Sequence, residues 1–196
     1  GCPEPHNKFT EQDRKRMKLV TVTNWNDVDA QHFQDATAVV SCLGNRQPFL
    51  GHWESNEGNQ VVIRNNVKRA VVCSSVGVEE DWPPMESFKP GQYILSFLFL
   101  TFGRSSFRDL TLMERAYKAS DIDYLFVRPV GIGEDVKPVN RWVLQTKKYE
   151  HHMEPNMAKL DVARYMVQEA IEPTRHRSAV VIGPEPPTEE ATGQEL

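Results

Sequence analysis

Four short runs constrain this chain more than anything else in it. "AVVSCL" (Ala38–Leu43), "AVVCSS" (Ala70–Ser75), "YLFV" (Tyr124–Val127) and "AVVI" (Ala179–Ile182) are apolar at nearly every position rather than at every second one. A strand with one wet face alternates. A strand buried on both faces does not, and such strands belong to parallel sheets covered by helices above and below. Periodicity alone does not separate these runs from pieces of buried helix; their shortness and β-branched content favour strand. A fifth run, "LVTVT" (Leu19–Thr23), is read as a further strand that comes before them.

Helical patterns fill the gaps. In "SSFRDLTLMERAYKAS", Phe107, Leu110, Met113, Ala116 and Tyr117 fall on one face, and Arg108, Glu114, Arg115 and Lys118 fall elsewhere. Ser106 with Asp109 three residues on has the form of a capping box, so the helix is expected to start there. In "KLDVARYMVQEAI" the expected core face is Leu160, Ala163, Met166, Val167 and Ala170. A shorter pattern spans Val28–Gln34. Strands alternating with helices imply βαβ units, right-handed crossovers and a mainly parallel sheet, an α/β fold. A length of 196 residues suits one domain, over 1–183, followed by a Pro- and Glu-rich tail over 184–196 that is expected to be disordered.

Composition excludes several roles. A formal net charge of -4 provides no basic field for nucleic acid, and the cluster "DRKRMK" (Asp13–Lys18) reads as a solvated face. Cys2, Cys42 and Cys73 form no framework of paired spacings, which points to an intracellular, reducing compartment such as cytoplasm or an organelle stroma or matrix. Cys42 and Cys73 lie inside apolar runs and read as small core hydrophobes. No Cys/His spacing suits a metal; the pair in "EHHME" is adjacent, so its side chains diverge. "YILSFLFLTF" (Tyr93–Phe102) has ten residues where a bilayer needs about 20, so it reads as a buried helix and no transmembrane segment is expected. The opening residues show no apolar stretch of the signal-peptide type.

Four motifs in series carry a family resemblance. "DATAVVSCLGN", "VKRAVVCSSVGV", "MERAYKASDIDYLFVRPVGI" and "KLDVARYMVQEAI", in this order, resemble the atypical short-chain dehydrogenase/reductases of the NmrA-like and flavin-reductase-like branch, over roughly residues 17–183. The resemblance implies a single Rossmann-like, doubly wound domain that binds NADP or NAD. It implies that Asn24 and Trp25 stand at the adenine corner, where a strand-ending Asx turn with a buried Trp is the plain alternative. Cys42, Leu43 and Gly44 would lie along the cofactor, Gly44 letting backbone approach it without a Cβ. Ser75, beside Ser74, matches the superfamily's catalytic serine, and Pro129, Val130 and Ile132 would wall the nicotinamide.

The resemblance also exposes departures. The superfamily's Tyr-x-x-x-Lys proton relay falls on Ser106 and Leu110, and neither can perform it. The glycine-rich turn that holds the pyrophosphate is missing, so a βαβ segment carrying it is expected ahead of Gly1. Only Gln60–Asn66 separates Asn59 from the "VKRAVV" strand, which looks short for a crossover helix. Two functions remain open. One is hydride transfer from a nicotinamide to a flavin- or quinone-like acceptor that needs little acid catalysis. The other is a catalytically inactive dinucleotide-binding scaffold, or a redox-sensing subunit of a larger assembly. The partner is accordingly a small-molecule substrate or another protein.

Overall fold

The computed structural model describes residues 10–44, 55–76, 78, 104–133, 135–145 and 156–185. In chain order these form helix α1 (Glu11–Arg16), strand β1 (Val39–Ser41), helix α2 (Ser55–Arg64), strand β2 (Arg69–Cys73), helix α3 (Arg104–Lys118) and strand β3 (Asp123–Pro129). The short strand β4 (Ile132–Gly133), β5 (Trp142–Gln145), β6 (Met157–Ala158), helix α4 (Lys159–Ile171) and strand β7 (Ser178–Pro184) follow. The main sheet has the order β1-β2-β3-β7-β5, and β4 pairs with β6 in a separate ribbon. Every pairing is parallel except β5 with β7.

The apolar runs are continuous because each strand serves two cores. On one face Ala70, Val72, Tyr124 and Phe126 meet Val62 of α2 and Leu110, Met113 and Tyr117 of α3. On the other face Val71, Leu125, Val127, Val180 and Ile182 meet Val162, Tyr165 and Met166 of α4. Successive side chains point to opposite faces, so a strand between two helical layers needs an apolar residue at every position. This is the α/β, mainly parallel, single-domain architecture expected from the sequence.

Several elements differ from expectation, each for a physical reason. "LVTVT" is not a strand: residues 17–22 carry no ladder, and Leu19 and Val20 are exposed. A strand needs a neighbour, and among the described residues none lies beside it. In place of one helix over Val28–Gln34 there are two single 3-10 turns, Trp25–Asp27 and Ala30–His32, each capped by an Asx side chain, Asn24 or Asp29. The crossover into β2 is not short, because α2 begins at Ser55, upstream of the Asn59 from which it was counted. Helix α3 begins at Arg104, two residues before the expected cap at Ser106. The Asp109 carboxylate meets the backbone N–H of Asn56 at 3.2 Å, in the first turn of α2.

The core face of α4 is also rotated from the expected one. Val162, Tyr165, Met166 and Glu169 are buried, whereas Leu160, Ala163 and Val167 are exposed. The buried set includes a carboxylate and a tyrosine, which apolar counting passes over. Pro184 still pairs with Trp142, so β7 runs one residue into the expected tail. The expected helix at Tyr93–Phe102, the histidine pair and residues 186–196 lie outside the described residues. Among the described residues β1 pairs on one side only, with β2, and Val40 at its middle is 39% exposed.

Charges lock the amino ends of the strands. Arg69, at the start of β2, donates to Asp123 at 2.6 Å, to the Glu169 carboxylate at 3.3 Å and to the backbone carbonyls of Glu169 and Arg175. Thr174 donates to Glu169 through both its N–H and its hydroxyl. His176 Nδ1 lies 2.8 Å from Asp123. Burial alone would raise the Asp123 pKa, but hydrogen bonds from His176, Arg69 and Arg177 outweigh it and hold it below 3.8. Glu169 is likewise held below 4.5, burial being outweighed by Thr174 and Arg175.

Both carboxylates are therefore easier to ionise folded than unfolded. Their contribution to stability is full above the unfolded values and is lost as pH falls through the lower folded ones. Thermal unfolding between about pH 7 and about pH 2.5 should show the midpoint falling on the acid side. Asp123→Asn with Glu169→Gln should flatten that fall; an unchanged acid slope in the double variant would contradict the assignment.

Candidate functional site

The parallel register aligns three strand ends along one rim. Ser41 pairs with Val72, so the next step places Cys42 opposite Cys73, which pairs in turn with Val127. Beyond the ladder the Ser74 N–H still reaches the Val127 carbonyl at 2.8 Å, and the Val130 N–H reaches the Ile182 carbonyl at 3.0 Å. The segments Cys42–Gly44, Ser74–Val76 and Arg128–Val130 therefore lie side by side at the carboxyl edge of the sheet. That edge is where open α/β sheets bind ligands. Val76 and Val130 pack there with Val143 and Val181, giving the rim an apolar floor.

Beneath the rim is a buried charged cluster. Glu114 is fully buried and Arg128 is 3% exposed. The Arg128 guanidinium grips Glu114 with two bonds, Nε to Oε1 at 3.1 Å and Nη2 to Oε2 at 2.6 Å. The Ser74 hydroxyl donates to the same Oε1 at 2.6 Å. Helix α3 is thereby tied to the carboxyl end of β3 and to the residue that follows β2. Such a fork fixes orientation as well as distance.

The sequence reading placed Glu114 off the core face and gave Arg128 no role. The missed signal was an arginine inside the otherwise apolar run "YLFVRPV", directly before the proline. An arginine there must be paired or excluded from the fold, and the acid one residue after the core residue Met113 was its available partner.

The predicted site residues do not all fall together. Ser74, Ser75, Pro129 and Val130 meet at the rim as described. Ser74 is a structural tie, its hydroxyl held by Glu114, while the partly buried Ser75 Oγ makes a local bond to the Val76 carbonyl at 3.1 Å. Leu43 and Trp25 approach the same glycine: a Cβ built on Gly58 of α2 would lie 2.3 Å from Leu43 Cδ1 and 3.3 Å from the Trp25 ring.

The 24–27 turn is further tied to α2 by the Arg64 guanidinium, which donates to the Trp25 carbonyl at 2.8 Å. Asn24 caps this turn through its side chain, with Oδ1 accepting from the Asn26 N–H. Leu43 is tied to α2 as well, its carbonyl accepting from the Ser55 hydroxyl at 2.7 Å. Ile132 stands apart, 49% exposed and paired with Met157 in the separate ribbon. Cys42 is exposed rather than a core residue, because the sheet ends at β1 among the described residues.

No tyrosine is poised as an acid at the rim among the described residues. Tyr117 is fully buried, donates to Asn59 Oδ1 at 2.8 Å, and burial pushes its pKa up. Burial, aided by the neighbouring Glu169 charge, pushes the Tyr165 phenol up to about 12. Ser106 and Leu110, at the positions of the superfamily relay, both face inward and are 7% and 8% exposed. The described residues also contain no cluster of three or more His, Cys, Asp or Glu that could hold a metal. None of their helices is long and apolar enough to cross a membrane.

Comparison with known proteins agrees with this architecture. Residues 4–173 match the family described as NAD(P)H-binding. A candidate NADH-flavin reductase from Streptococcus pneumoniae superposes with a TM-score of 0.59 at 12% identity, covering 83% of this chain and 79% of that one. A candidate NAD-dependent epimerase/dehydratase from Bacillus halodurans superposes at 0.60 with 19% identity, covering 84% and 72%. A short-chain dehydrogenase/reductase from Veillonella parvula, solved with NADP, superposes at 0.57 with 14% identity, covering 81% and 67%. At such identities the likeness is one of fold. No match was found among curated protein sequences.

Proposed function

The chain belongs to the NAD(P)H-binding family, and on that premise we propose that it is an NAD(P)H-dependent oxidoreductase whose acceptor is a flavin- or quinone-like ring. The observation that carries this reading is the rim itself. Ser75, whose hydroxyl among the described residues is held by its neighbour's carbonyl, stands beside Pro129 and Val130 over an apolar floor, with no proton relay at the usual positions. Such a surface suits a reaction in which positioning matters more than acid catalysis.

The residues present fit the flat parts of a dinucleotide. Leu43 and Trp25 form one apolar corner at Gly58, and Gly44, three residues past the end of β1, has no side chain to block approach. Pro129 cannot donate a backbone hydrogen bond that would compete for a ligand. When bound, a reduced nicotinamide supplies the hydride. Here Ser75 would orient the acceptor through its hydroxyl, Val130 and Pro129 would exclude water, and Glu114 with Arg128 would hold the two strand ends in register. Either NADP or NAD suits these contacts. The second reading, a dinucleotide-binding subunit without turnover, draws support from the buried Ser106 and Leu110 at the relay positions.

Titration of the protein with NADPH and NADH, followed by turnover with a panel of flavins and quinones, tests the proposal. Binding with oxidation of the dinucleotide is expected. Ser75→Ala should lower kcat/KM for the acceptor by about tenfold, well below the 10²–10⁴ that removal of a true general acid costs. It should leave dinucleotide affinity unchanged. Binding without oxidation of any acceptor would leave the second reading; no binding of either dinucleotide would overturn both.

A further inference from the structure

We propose that Cys42 and Cys73 are a vicinal dithiol that closes to a disulfide by exchange with small-molecule disulfides. Three placements carry this, none of which depends on the dinucleotide reading. First, Val39, Val40 and Ser41 pair with Ala70, Val71 and Val72, so the register sets Cys42 directly opposite Cys73. Neighbouring strands lie about 4.7–4.9 Å apart, inside the Cα window of roughly 4.4–6.8 Å that a disulfide accepts.

Second, in-register neighbours project to the same face, and here both thiols reach the α4 side. The Cys42 thiol lies 3.9 Å from Met166 Sδ, and Cys73 packs on the core cluster that contains Met166. Third, Cys42 is open to a reagent while Cys73 sits behind it, half-buried. Burial, with the adjacent Cys42 adding to it, pushes the Cys73 thiol up to about 12, and burial raises Cys42 as well.

The roles follow from exposure. Cys42 attacks one sulfur of a disulfide R–S–S–R; its proton leaves with the first R–SH, and Cys42 is left as a mixed disulfide. Cys73 then attacks the Cys42 sulfur, its proton leaves with the second R–SH, and the Cys42–Cys73 bond forms. Two protein thiols are oxidised and one external disulfide is reduced. Both thiols are mostly protonated near neutral pH, so the first step is slow. The second is intramolecular and is helped by proximity.

Closure needs the Cβ atoms to come to about 3.8 Å, slightly nearer than a flat parallel ladder holds them. Cys42 lies one residue past the end of β1, and among the described residues β1 is bonded only to β2. The chain there can therefore shift towards Cys73 without breaking a second ladder.

The test uses the full chain with Cys2→Ser, so that only this pair can react. Incubation with oxidised glutathione, followed by intact mass and peptide mapping, should show a loss of two hydrogen atoms and a cross-link between Cys42 and Cys73. Adding Cys73→Ser should leave a stable glutathione adduct on Cys42, and adding Cys42→Ser should leave Cys73 unmodified while the chain is folded. A persistent Cys42 adduct with Cys73 still free in the parent chain would overturn the proposal, as would oxidation only after unfolding. Should a serine variant not fold, phenylarsine oxide on the parent chain replaces it. One equivalent should protect both thiols from alkylation together, and failure to protect both would again overturn the proposal.

Discussion

Glu114→Ala should destabilise the protein by about 3–5 kcal/mol, the cost of breaking a buried ion pair by removing one partner. In the native fold the carboxylate takes both Arg128 bonds and the Ser74 hydroxyl, and none of the three is open to water. Its loss takes both charge-assisted bonds from a guanidinium that is 3% exposed, a charge the interior accepts only when it is answered. Removing both charges is a different matter. Desolvating the pair costs nearly as much as its attraction returns, and apolar replacements of similar volume are often neutral. Glu114→Leu with Arg128→Met should therefore be less destabilised than Glu114→Ala alone, by about 2 kcal/mol or more.

Denaturant unfolding of the three chains measures this. The reverse order, with the double variant worse than the single, would show that Arg128 matters through contacts other than its pair with Glu114. The site should register the change too. Ser74 adjoins Ser75, and Arg128 adjoins Pro129, so both Glu114 variants should bind NADPH more weakly even at temperatures where they remain folded.

Arg69→Ala should cost a comparable amount, about 3–5 kcal/mol, and leave the site untouched. Arg69 is 5% exposed and bridges Asp123, the Glu169 carboxylate and two backbone carbonyls. Its removal leaves the nearly buried Glu169 with Thr174, the Tyr165 hydroxyl at 3.5 Å and the more exposed Arg175. The cluster stands at the amino ends of the strands. β2 runs from Arg69 to Cys73, and four steps of about 3.3 Å put roughly 13 Å between this cluster and the rim.

Stability and binding should therefore separate. Arg69→Ala should lower the denaturant midpoint while the folded fraction binds NADPH with unchanged affinity; Glu114→Ala should lower both. A loss of affinity in folded Arg69→Ala would mean that the carboxyl edge is not the binding edge, and the proposed function would fall with it.

The sheet was legible because its signal is local and redundant. Each of "AVVSCL", "AVVCSS", "YLFV" and "AVVI" is apolar on both faces, and a strand placed between two helical layers tolerates little else. Positions at the rim were legible for a related reason: the carboxyl end of a buried strand is marked by the residues that stop it, here "LGN", "SSV" and "RPV".

"LVTVT" was not decided by its own pattern, since a strand needs a neighbour to bond and none of the described residues pairs with it; Met17, Leu19, Val20 and Val22 are exposed. The face of α4 was misread because Leu160, Ala163 and Val167 look like core residues, while Tyr165 and Glu169, which are buried, look like surface ones. Apolar counting cannot see a carboxylate whose charge is answered by Arg69, a hundred residues away in sequence.

By itself, then, the sequence determined the class of fold, the number and order of the buried strands and the edge at which they end. Side-chain period and the burial of apolar surface act within a few residues, and each segment carries its own copy of that information. Only the tertiary structure decided which polar groups the interior would accept. Ser74, Glu114 and Arg128 come from three separate elements and are tolerable inside only when all three meet. Likewise, Cys42 and Cys73 become neighbours only through the register of β1 on β2, a long-range fact that no local pattern encodes.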